Sequence, residues 1–183
     1  RGVHLGAIDF PLGGIGTGTI FVDGKGRWHR WHLWDYEELA STPRMFFAAR
    51  VKTGNRQVVV RAIQTVSEGC FEGVREIKFR GEYPFGWFDY SDPALPVKLC
   101  MEIYTPLVPT NVRDSGIPCA ICAITVENTS TSKAQVSVLA ACQNALGCLH
   151  GSTGMLSNKV VYIQGKTAVY MTTDLPSSSE HYG

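Results

Sequence analysis

The stretch Arg27-Trp28-His29-Arg30-Trp31-His32-Leu33-Trp34 concentrates more potential chemistry than any other part of this chain. Tryptophan rings stack on the apolar faces of sugars, guanidinium groups donate hydrogen bonds to hydroxyls, and imidazoles bind metals or carry protons. Side chains alternate along a strand. Trp28, Arg30, His32 and Trp34 are therefore expected on one face, and His29, Trp31 and Leu33 on the other. Two uses stay open: direct contact with a ligand, or burial of the large rings in a core or against another domain. The alternation separates His29 from His32, and no third ligand stands near them, so no metal site is expected.

The run Gly13-Gly14-Ile15-Gly16-Thr17-Gly18 invites a nucleotide-binding reading, which its spacing excludes. Counted from Gly14, the last position of the dinucleotide fingerprint is Thr19 rather than glycine, and Thr19-Ile20-Phe21-Val22 reads as strand where the fingerprint needs a helix. The Lys-Ser/Thr of a phosphate loop is missing too. A tight turn, with backbone close to backbone or to another domain, is the expectation. Gly14 and Gly16 thus join Arg27, Trp28, Arg30, Trp31 and His32 as candidates for ligand-binding or interdomain contact.

Carboxylates that could serve acid–base chemistry include Asp35, Glu37, Glu38, Glu82, Asp89, Asp92, Glu102 and Asp114. A glycosidase needs two at a defined separation across a cleft, and nothing in the spacing selects a pair. Asp92-Pro93 and Asp114-Ser115-Gly116 read as turns. Gly151-Ser152-Thr153-Gly154 is not a nucleophile elbow. No catalytic residue and no cofactor is assigned.

The elements that must position these groups are strands. β-Branched and aromatic residues fill short runs between glycine and proline signals, the pattern of an all-β domain. Runs at 17–23, 26–34, 45–53, 57–66, 74–80, 96–104, 117–128, 134–143, 160–164 and 167–172 are the expected strands, with hairpin signals at Asp23-Gly24, Gly54-Asn55 and Gly165-Lys166. The run 134–143 is expected to pair with 117–128 across the polar turn 129–133. A helical turn is hinted only at 35–40. The expected architecture is an antiparallel β-sandwich over 1–174, followed by a polar tail, 175–183, that is expected to be loose.

The 183 residues suit one domain, and 17 basic against 16 acidic side chains give a net charge of +1, which argues against a nucleic-acid partner. No run is apolar enough to span a membrane as a helix. Of six cysteines, Cys100, Cys119, Cys122 and Cys142 lie in apolar runs. They are expected as free thiols, with Cys119 and Cys122 in a strand core, which slightly favours a cytoplasmic setting.

Several blocks together resemble one family. Leu12 to Gly18 is similar to the glycine motif near the start of glycoside hydrolase family 116 proteins, the group of bile acid β-glucosidase, or non-lysosomal glucosylceramidase. Arg27 to Leu33 resembles the basic-aromatic strand that follows. Tyr83-Pro84-Phe85-Gly86-Trp87-Phe88-Asp89-Tyr90, Leu95-Pro96-Val97, Thr105-Pro106-Leu107-Val108-Pro109 and Asp114-Ser115-Gly116-Ile117-Pro118 continue the likeness to Val126-Glu127-Asn128. The Cys119 to Cys122 segment departs from it. The resemblance implies a non-catalytic N-terminal β-sandwich, longer than this chain, whose partner is a downstream helical (α/α)6 barrel of the same protein. It implies retaining hydrolysis of a glycoside by that barrel, with a glycoside substrate near the interface; no position here matches the barrel's catalytic motifs. Two other readings are an independent carbohydrate-binding module, using an exposed Trp28 or Trp87, and a purely structural sandwich.

Overall fold

The computed structural model describes residues 2–33, 42–54, 57–146 and 154–178. The helical turn expected at 35–40 lies outside the described residues. After a short 3-10 segment, Gly2–Ala7, come β1 (Asp9–Leu12), β2 (Thr19–Asp23) and β3 (Trp28–His32), a three-stranded sheet in that order. Next are β4 (Met45–Thr53), β5 (Val59–Ala62), β6 (Glu76–Glu82), β7 (Phe85–Ser91), β8 (Lys98–Tyr104) and one helical turn, α1 (Val112–Ser115). The last strands are β9 (Ile121–Glu127), β10 (Ala134–Cys142), β11 (Leu156–Ile163) and β12 (Lys166–Thr173).

Strands β6-β7-β8-β9 form one four-stranded meander. Its apolar face packs on two of the other sheets, β1-β2-β3 and β10-β4-β5, while β11 and β12 pair as a separate hairpin. Phe88, Ile77, Leu99, Met101 and Ile103 meet Phe10, Leu12, Val22, Trp28 and Ala49 in one core. The alternation in β8 produces this directly: Leu99, Met101 and Ile103 are buried while the residues between them are not. The fold is an antiparallel, sandwich-like all-β structure, as its strand pattern predicts.

Three expectations need correction. First, β10 pairs with β4, from Ala134↔Thr53 to Cys142↔Met45, not with β9. The polar turn therefore carries the chain from one layer to the other, and the register sets Val136 and Val138 beside the buried Val51 and Ala49. Second, β1 and β7 are strands where none is expected. Pro11 and Gly86 read as punctuation, yet both sit within paired registers. Third, β9 begins only at Ile121, so Cys119 precedes the strand while Cys122 packs against the core. Burial pushes the Cys122 thiol up to about 12.

A two-residue turn joins β11 to β12. Gln164 and Gly165 have φ of 50° and 75°, so the two-residue loop is one position earlier than the sequence signal, with the paired positive φ values of a primed hairpin turn.

Candidate functional site

The β1–β2 connection is built by its glycines. Thr17 N–H donates to the Gly14 carbonyl at 3.2 Å, placing Ile15 and Gly16 at the tip of a turn. Gly16 has φ of 72°, the left-handed value that the third position of a type II turn requires. Gly14 answers a different constraint: a Cβ there would lie 2.6 Å from the Ile117 carbonyl oxygen. The turn therefore lies directly on the segment that follows β8.

That segment is fixed by polar contacts at its base. Ile15 N–H donates to the Ser115 carbonyl at 2.8 Å, and the Thr105 hydroxyl donates to the Gly13 carbonyl at 2.7 Å. Both Ser115 and Thr105 are buried. The Ser115 hydroxyl also accepts from Val108 N–H at 2.9 Å and lies 3.0 Å from the Val108 carbonyl. Asn111 caps α1, its side-chain oxygen accepting from Asp114 N–H at 3.1 Å. On this pinned backbone the apolar side chains point outward. Ile15 is 56% exposed and Val112 76%, and Leu107, Val108 and Ile117 are exposed beside them.

Strand β3 runs up to the same end, but its faces differ from simple alternation. The register passes from Ile20↔Trp31 to Phe21↔His29, leaving Arg30 as an extra residue in a bulge. Arg30 has φ of 44°, a left-handed conformation uncommon for a residue with a Cβ. The bulge shifts the phase, so Trp28 and Trp31 share the inner face at 5% and 8% exposure. His29 and His32 then share the outer face with Phe21, whose ring meets that of His32 edge-on at 5.2 Å. The expected separation of the two histidines is thus reversed, and Trp28 offers no open ring to a ligand.

Asp9 organises that outer face. His29 Nε2 lies 3.0 Å from one carboxylate oxygen, and the Arg30 guanidinium pairs with the other. The same guanidinium sits 4.6 Å from the Phe21 ring centre. Among the described residues, no three His, Cys, Asp or Glu side chains converge as a metal site requires. Arg27 lies at the other end of the strand, where its Nε donates to Asp23 at 2.7 Å and closes the β2–β3 hairpin. The structure therefore brings Gly14, Gly16, Trp31 and His32 toward one end and leaves Arg27 and Trp28 at the other.

The candidate carboxylates within the described residues are held by structural partners. Glu102 accepts from the Trp87 indole at 2.6 Å, and the Arg80 guanidinium covers that indole ring at 4.2 Å. Glu82 lies 3.7 Å from Arg80, Asp89 accepts from the Cys100 thiol at 3.3 Å, and Asp114 accepts from Asn111. Burial acts to raise the pKa of Asp92, but hydrogen bonds from Ala94 N–H, the Arg61 guanidinium and Arg75 N–H outweigh it and hold the carboxyl below its usual range. That direction is the reverse of what a general acid needs. Asp35, Glu37 and Glu38 lie outside the described residues.

The pinned glycine turn, the apolar end and the β-sandwich behind them stand in the same chain order as the sequence blocks. The family model described as beta-glucosidase 2, glycosyl-hydrolase family 116 N-term, matches residues 9–182. The chain belongs to this family. It is the N-terminal domain of a multidomain family 116 hydrolase, which implies a catalytic domain elsewhere. The segment 105–118 is the part of this family 116 domain whose role the residue types alone do not single out. Its signal is the unusual run of exposed aliphatics between prolines.

Proposed function

We propose that this chain is the non-catalytic N-terminal part of a family 116 glycoside hydrolase, and that its glycine-turn end packs on the catalytic domain and shapes one rim of the substrate cleft. The observation that carries the reading is the exposed apolar end: Ile15, Val108, Val112 and Ile117 project from a backbone fixed by Ser115 and Thr105. An apolar patch on rigid turns is what a protein interface offers. Gly14 and Gly16 act by setting the turn, Trp31 by its burial opposite Ile20 in the β2–β3 pairing, and Arg30 and His32 by lining the adjoining outer face.

The carbohydrate-binding module has less support. Trp28 is buried, and the Trp87 ring is covered by Arg80 and hydrogen-bonded to Glu102. The test is kinetic. In the full-length hydrolase, Ile15→Asp or Val112→Asp lowers turnover of an aryl β-glucoside, and the isolated chain turns over none. Full activity of both variants, or turnover by the isolated chain, contradicts the reading.

A further inference from the structure

Beside the glycine turn lies a small opening of about 100 Å³, lined mostly by apolar residues, among them Leu12, Ile20, Leu33 and Ala120, together with Thr17 and Cys119. Among the described residues, no charged side chain lines it. Leu12 belongs to the main core, and Ile20 and Ala120 pack against that core. The opening is therefore a mouth onto the interior, between the end of the β1-β2-β3 sheet and the chain entering β9. Gly18 forms part of its wall: a Cβ there would lie 2.9 Å from the His32 carbonyl oxygen and 3.0 Å from a Leu33 methyl carbon, so the chain lies close against the end of β3 at this point.

The volume selects the occupant's size. An apolar cavity of about 150 Å³ holds a benzene molecule, so this one suits a single aliphatic side chain. Its surroundings select the occupant's source. Ile15, Leu107, Val108, Val112 and Ile117 are exposed around the same end. A free small molecule filling the slot would leave them bare, whereas a protein surface that inserts one side chain covers them in the same contact. Interfaces of this kind concentrate their energy in such an anchor, seated in a dry pocket and ringed by weaker contacts.

We infer that this slot receives one aliphatic side chain from the catalytic domain of the same hydrolase, extending the sandwich core across the domain boundary. The inference rests on the docking reading above and adds the anchor and its seat. Cys119 provides a native reporter, because it lines the slot and is free.

The experiment uses the full-length hydrolase and reads alkylation of the Cys119 peptide by mass spectrometry, with exposed Cys70 as reference. Occupancy predicts slow labelling at Cys119 that rises by about tenfold or more in Val112→Asp, since access controls thiol modification. Ala120→Cys, at a second lining position, is expected to follow the same pattern. Labelling of both positions as fast as Cys70 in the native enzyme overturns the slot. So does labelling that stays slow in Val112→Asp while that variant loses activity, because docking then stands without an anchor here. Protection that disappears on dilution overturns it in favour of a second copy. If Ile15→Asp and Val112→Asp leave activity intact, docking itself fails and the slot fails with it.

Discussion

The glycine-turn end and strand β10 both expose aliphatic side chains, and they do so in different ways. At the glycine-turn end, Ile15 and Val112 project from turns whose backbone groups are already engaged by Gly14, Ser115 and Asn111. Along β10, by contrast, the strand itself is an edge. It is 9 residues long and carries no charged side chain, and it lies at the margin of the β10-β4-β5 sheet. Val136 and Val138 point to the core side, beside buried Val51 and Ala49, yet remain 37% and 46% exposed. The first region offers side chains alone, fixed in advance, as recognition of a differently folded domain requires. The second offers backbone as well as side chains, the features that natural proteins usually guard with lysine, proline or a bulge.

Substitutions can break that contrast. The largest effect is expected from Gly14→Ala, because its Cβ meets backbone at Ile117 and Gly116 as well as the Thr17 hydroxyl. A loss of about 3 kcal/mol, typical of forced overpacking, should appear as a lower thermal midpoint of the hydrolase. A midpoint indistinguishable from wild type would show that the turn does not bear on 116–117. Next, Val112→Asp should weaken docking by about 2 kcal/mol, the scale of placing an unpaired polar group in an apolar contact, read as lower activity at unchanged far-ultraviolet circular dichroism. Gly16→Ala should cost only about 1 kcal/mol, the left-handed penalty alone, since none of the described residues lies within 4 Å of its Cβ. If it costs as much as Gly14→Ala, the two glycines do not have separate roles. The smallest effect on stability belongs to Val138→Lys, about 0.5 kcal/mol or less. Its signature is different: less concentration-dependent self-association of the isolated chain by light scattering. Equal self-association would mean that β10 is not the exposed edge that matters.

Much of the fold was legible because burial in strands follows local alternation. β4 is predicted to the residue, and β8 shows its inward Leu99, Met101 and Ile103 directly in sequence. What escaped depends on distant partners. No local signal says that β10 joins β4, since a polar turn marks a connection without naming the sheet beyond it. The bulge at Arg30 is also invisible in sequence, because it is one residue's conformation set by pairing with β2. That single residue turned the predicted faces of Trp31 and His32 around and moved both tryptophans inward. The glycine turn was legible as a turn, since wrong spacing excluded its alternatives. Its seat on Ser115 and Ile117 was not, because it lies about a hundred residues away in the chain.

The most direct test of the docking end places the photoreactive residue benzoylphenylalanine at position 112 of the full-length hydrolase, and separately at exposed position 162 on β11, and maps the adducts by mass spectrometry. The account predicts that position 112 captures residues of the catalytic domain, with the enzyme at high dilution to exclude a second copy. Adducts from position 112 confined to residues 9–182 would contradict it.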